Sequence, residues 1–176
     1  MSLEDLGNIG EFVGAIAVVV SLIYLGLQIR QNTAALRTAS RQDIVSGYRA
    51  HGRLFIEPGT SRAYTDGLYR YPDMPFDERN VFGNLLGDHA VFFQSVFALR
   101  EAGTLEDEIY QAYLDWFSSH LATPGGTAWW AQIRSVLTPR RMVEAVDARL
   151  ARGGLLDLRE VPLWQLDDTD SRRPEV

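Results

Sequence analysis

FVGAIAVVVSLIYLGLQI, residues 12–29, runs for eighteen residues without a charge, and Arg30 follows it at once. As a helix rising about 1.5 Å per residue it extends roughly 27 Å, close to the hydrocarbon thickness of a bilayer. Ala, Val, Ile and Leu occupy every side of that helix between Ala15 and Leu27. A helix half-exposed to water would carry a polar stripe there. The segment reads as a single transmembrane anchor. A cleaved signal peptide would need a basic start, whereas the first eleven residues carry Glu4, Asp5 and Glu11 and no basic residue. A buried helix of a soluble domain fits the length but not the apolarity on all sides.

The flanks give an orientation. Residues 30–53 hold five arginines (Arg30, Arg37, Arg41, Arg49, Arg53) against one acid, Asp43. Basic residues beside a span stay on the cytoplasmic side, so the acidic N-terminus is expected outside and the C-terminal part inside. Anionic leaflet lipids would attract the basic segment, with Arg30, Arg37 and Arg41 as its lipid-facing candidates. Gly10, Gly14, Ala17 and Ser21 form a small-residue stripe, and Gly10-x-x-x-Gly14 is a helix-dimerisation pattern. A homodimer through the anchor is the partner these residues suggest.

Without the anchor about 145 residues remain, enough for one domain with its own core. The net charge of −6 is uneven: −3 over residues 1–11, +4 over 30–53 and −7 from Leu54 onward. That distribution argues against nucleic acid as a partner. All seventeen basic residues are arginine, scattered along the chain with no readout surface. With no cysteine, disulfides, thiol nucleophiles and cysteine-based zinc sites are excluded.

Helical punctuation divides the rest. No proline precedes Pro58, so the anchor helix is expected to continue past the membrane and to end at Pro58-Gly59. Thr60 or Ser61 is expected to cap a short helix, and Tyr71-Pro72-Asp73 to form a loop. Asp77 reads as the next N-cap, with Phe76 stapled on Val81, and Gly103 as the stop. Thr104 with Asp107 reads as a capping box opening the return arm of an antiparallel hairpin. Thr127 is expected to cap a helix after Pro124-Gly125-Gly126, and Pro139 to open the last one, which Gly153-Gly154 ends. No strand pattern is convincing. The expected fold is all-α: an N-terminal transmembrane helix, then an irregular bundle of about five or six helices. Residues 1–29 would be the N-terminal segment and anchor, 30–155 the helical domain and 156–176 an extended or disordered tail.

The anchor with YLGLQIRQNTAALR (residues 24–37), FQSVFALREAGTLEDEIY (93–110) and PGGTAWWAQIRSVLTPRRMVEAVDARL (124–150) resembles a bacterial family of hypothetical single-span, membrane-anchored helical proteins. The likeness covers most of the chain. It implies a cytoplasmic-membrane setting and carries over no catalytic residue.

The chemistry-bearing residues are few. A helical metal site pairs a histidine with a carboxylate or second histidine three or four residues away. None of His51, His89 and His120 has such a partner on its own helix, so core or interface positions are expected and no metal or cofactor is assigned. His89 is the weak catalytic candidate. Asp88 points about 100° away from it, so the carboxylate would have to come from a neighbouring helix, Asp115 or Glu101. In an apolar pocket His89 would then act as a general base. Ser95, Ser118 and Ser119 sit in no nucleophile elbow. Glu106-Asp107-Glu108 fits the first turn of a helix better than a cation site. Asp167-Asp168-Thr169-Asp170 lacks the glycine and glutamate of a calcium loop, Gly125-Gly126 lacks the lysine of a phosphate loop, and Trp129-Trp130 reads as core. The functional expectation is a membrane-anchored interaction module for a protein or lipid partner. The alternative is a small enzyme or ligand-binding bundle with a pocket centred on His89.

Overall fold

With no proline or paired glycine to break it, the N-terminal stretch forms one α-helix, α1, over Leu3–Arg53. The computed structural model describes residues 3–55 and 58–161, the side chains of residues 3–7 and 9 excepted. The chain divides into two compact units, Met1–Arg41 and Gln42–Val176.

In the first unit, one helix is long and apolar enough to cross a membrane; its most apolar window has a mean hydropathy of 2.3 and no buried residue. Phe12, Val20 and Ile29 are exposed on different sides of it. Two of its hydroxyls bond back to the helix itself: Ser21 donates to the Ala17 carbonyl at 2.8 Å and Thr33 to that of Ile29 at 2.9 Å. This back-bonding lets a serine sit in an apolar helix without an orphaned polar group.

The second unit begins with the last turns of α1 and adds α2 (Pro58–Arg70), α3 (Phe76–Glu101), α4 (Asp107–Leu121), α5 (Pro124–Ile133) and α6 (Arg140–Arg152). Short 3-10 turns occupy Tyr71–Asp73 and Leu158–Glu160. Among the described residues there is no strand, and the fold is an all-α bundle. Helix α3 packs on α2 and α4, and α4 in turn on α5 and α6. Between them lie Phe82, Phe93, Phe117, Leu86 and Met142, all fully buried. Each such side chain contributes about 1.5–3 kcal/mol relative to staying in water.

Several helix boundaries differ from the expected ones, each for a local reason. Helix α1 ends at Arg53, and Pro58 opens α2 instead of closing α1. Proline's missing N–H costs nothing in a first turn, where that donor has no partner in any case. Helix α3 starts at Phe76 behind Pro75, which places Asp77 inside the first turn, favourable to the helix dipole but not capping it. Gly103, at φ +70°, ends α3 as expected. Thr104 does not cap α4: its hydroxyl donates backwards to the Leu99 carbonyl at 3.0 Å and closes α3, so the capping residue of α4 is Glu106. Thr123, not Thr127, caps α5, accepting from the Gly126 N–H at 3.1 Å. The Thr127 hydroxyl donates instead to the Leu121 carbonyl. Pro139 is the capping residue before α6, and Gly153 ends that helix at φ +66°.

The Pro124-Gly125-Gly126 turn is a close-approach site. A Cβ on Gly125 would stand 1.8 Å from the Gly67 carbonyl oxygen of α2, and one on Gly126 2.0 Å from that of His120 on α4. Only glycine admits backbones that near. Trp129 and Trp130 are buried in the core, and the Trp130 Nε1–H donates to Asp147 of α6 at 2.8 Å. Leu158, beyond the expected start of the tail, is buried in the core too. The acidic run at residues 167–170 and the polar end of the tail lie outside the described residues.

Candidate functional site: a histidine pocket in the bundle

Three helices each turn one histidine inward to the same place. His51 comes from the last turn of α1, His89 from the middle of α3 and His120 from the end of α4; they are 7%, 3% and 1% exposed. The His51 and His89 ring centroids lie 4.8 Å apart, as do those of His89 and His120. Aromatic rings wall the group in. Phe55 meets His51 edge-on at 5.1 Å, Trp116 meets His120 edge-on at 4.7 Å, and Phe117 lies 5.2 Å from His89. The three histidines, Phe55 and Trp116 border a cavity of about 170 Å³, with Tyr48, Gly52 and Tyr64 completing the wall.

The hydrogen bonds set the tautomers. A carboxylate only accepts, so His51 Nδ1–H donates to Asp88 Oδ2, at 2.7 Å. His120 Nδ1–H donates to the Trp116 carbonyl at 2.8 Å. His89 Nδ1 is buried and has no hydrogen-bond partner. An orphaned buried polar atom of this kind costs about 1–3 kcal/mol.

Burial dominates the electrostatics. Desolvation holds His89 well below the ordinary histidine range, and the neighbouring His120 and His51 push the same way. His120 is lowered to about 4, again mainly by burial, with the Trp116 carbonyl opposing and His51 assisting. Both rings are neutral at pH 7. Burial likewise raises the Tyr64 phenol.

The carboxylates expected to serve His89 do not do so. Asp115 is bound by Arg149, and Glu101 by Arg141, both arginines of α6. Asp115 lies instead beside an open groove shared with Arg149 and Asp157. Asp88 is the carboxylate of the cluster, and it serves His51. The 100° that turns it away from His89 along α3 turns it toward α1. Trp129 lies against Gly83 of α3, away from the pocket lining. Among the described residues no three His, Asp or Glu side chains form a ready metal-ligand group. Arg30, Arg37 and Arg41 lie at exposed positions in the first unit, as do Gly10, Gly14, Ala17 and Ser21.

Sequence reasoning missed His51 and His120 as companions of His89. The signal was tertiary: none has a carboxylate or a second histidine three or four residues away, and the histidines that neighbour one another come from different helices. Comparison with known proteins gives no match: no family model fits the chain, no curated protein matches it and no solved structure matches it.

Proposed function

We propose that the protein is a single-span membrane protein of the bacterial cytoplasmic membrane, with its N-terminus outside and its helical domain inside, and that this domain is an interaction module for a protein or lipid partner. The observation that carries this is the uncharged helix of residues 12–29, exposed on all sides. Exposing that much contiguous apolar surface to water is unfavourable, and a bilayer removes it. The five arginines of residues 30–53 support the orientation, and the small-residue stripe supports a homodimer through the anchor.

The test is carbonate extraction of the full chain beside a version starting at Gln31. A membrane-resistant full chain with a soluble truncation is the expected result; two soluble proteins would end the anchor reading. Because the chain has no cysteine, one introduced at Asn8 or at Glu78 reports sidedness. An impermeant maleimide should label the first in intact cells and the second only after lysis.

One observation favours a second reading, a ligand-binding bundle centred on His89. The cavity beside that residue, with its unpartnered buried nitrogen, is what a binding site needs and a filled core lacks. Ligand-induced stabilisation of the wild type, lost in His89→Phe, is the outcome this reading requires.

A further inference from the structure

We infer that the histidine pocket binds a small uncharged aromatic ring carrying one hydroxyl, a ligand of the phenol class, with the hydroxyl directed to His89. This deepens the ligand-binding reading and rests on it.

Size comes first. A cavity of about 150 Å³ is enough to hold a benzene ring, and this one has a volume of about 170 Å³. Shape follows from the lining. Tyr48, Phe55, Tyr64 and Trp116 offer ring faces and edges on which an aromatic ligand gains contacts beyond plain area burial. Charge is selected against, because no carboxylate or arginine lines the cavity and an unpaired buried ion is costly. Asp88, the nearest carboxylate in the hydrogen-bond network, is committed to His51. The hydroxyl requirement comes from His89. Its ring lines the cavity and its Nδ1 has no partner, and a neutral imidazole offers one donor and one acceptor nitrogen, either of which a hydroxyl can meet. A ligand hydroxyl gives the ring a hydrogen bond, whereas a methyl group of the same size gives it none.

The experiment compares phenol with toluene, nearly equal in size and differing in the hydroxyl. The full chain, in nanodiscs and labelled at histidine with ¹⁵N, gives only three imidazole spin systems. His→Gln variants assign them, and empty nanodiscs correct for partition of each probe into lipid. Phenol should shift the His89 signals and bind about tenfold or more tighter than toluene, the factor expected for satisfying a buried polar group. His89→Phe should abolish the preference. Should that variant fail to fold, the wild-type phenol-to-toluene ratio still decides. Equal affinity for the two probes overturns the hydroxyl requirement. Zn²⁺ moving all three histidine signals while phenol moves none overturns the aromatic ligand but leaves a ligand pocket standing. If phenol, toluene and Zn²⁺ all leave the signals in place, this inference and the ligand-binding reading fail together.

Discussion

Acidification from pH 7 to pH 5 should weaken the bundle through two of its histidines. His120 titrates at about 4 in the folded protein and near 6.5 in an unfolded chain. Above 6.5 the ring is neutral in both states and contributes no difference. Below it, the unfolded chain takes up a proton that the folded one refuses, so stability falls with pH at about 1.4 kcal/mol per unit until the folded ring protonates near 4. At pH 5 the loss from His120 alone is about 2 kcal/mol, and by pH 4 about 3 kcal/mol. His89, shifted in the same direction, adds to it. Against a typical domain stability of 5–15 kcal/mol this is a large fraction. Carboxylates titrate below the window between pH 5 and 6.5 and the chain has only three histidines, so comparison there with a variant lacking His89 and His120 isolates the effect. The assay is denaturant unfolding of the full chain in micelles, followed by tryptophan fluorescence across that window. Stability that stays level from pH 6.5 to 5 refutes the reasoning. So does an undiminished slope in a His89→Gln, His120→Gln double variant.

Gly126→Ala should destabilise the bundle by about 3 kcal/mol or more, because its Cβ would strike the backbone oxygen of His120 rather than a side chain able to move; the shift in the denaturation midpoint measures it. Thr123→Val removes both the bond from the Gly126 N–H and the one to the His120 carbonyl, so a loss of about 1–2 kcal/mol is expected by the same assay. Val20→Arg places a charge midway along the uncharged helix at a cost of about 2.5–3.5 kcal/mol for insertion. A reduced carbonate-resistant fraction is the expected outcome, and an unchanged one would count against the span.

The parts of the fold legible in the sequence are those set by neighbours along the chain. Uninterrupted apolarity announced α1, and Gly103 and Gly153 announced helix ends, because a positive φ is a local demand. Threonines were misread where a choice existed between two nearby backbones. Thr104 and Thr127 each precede or open a helix, yet each hydroxyl turns back to the carbonyl of the helix before it. Pro124-Gly125-Gly126 was legible as a break but not as a contact, since its partners are the carbonyls of Gly67 and His120. The pocket was the least legible part. Periodicity places His51, His89 and His120 on the inner faces of three helices. It carries no information on whether those faces meet at one level, nor on Arg149 and Arg141 binding the two carboxylates proposed for His89.

His120 is gripped at two points. Its ring is tied to the carbonyl of Trp116, and its own carbonyl takes the Thr123 hydroxyl at 2.7 Å, directly beneath the Gly126 contact. The pocket floor is therefore built into the chain path of the α4–α5 corner, whereas Tyr48 at its mouth is a side chain open to solvent. For protein engineering this divides the labour: variation at Tyr48 and its neighbours on the rim can change what the pocket admits, while the floor is retained as a fixed template.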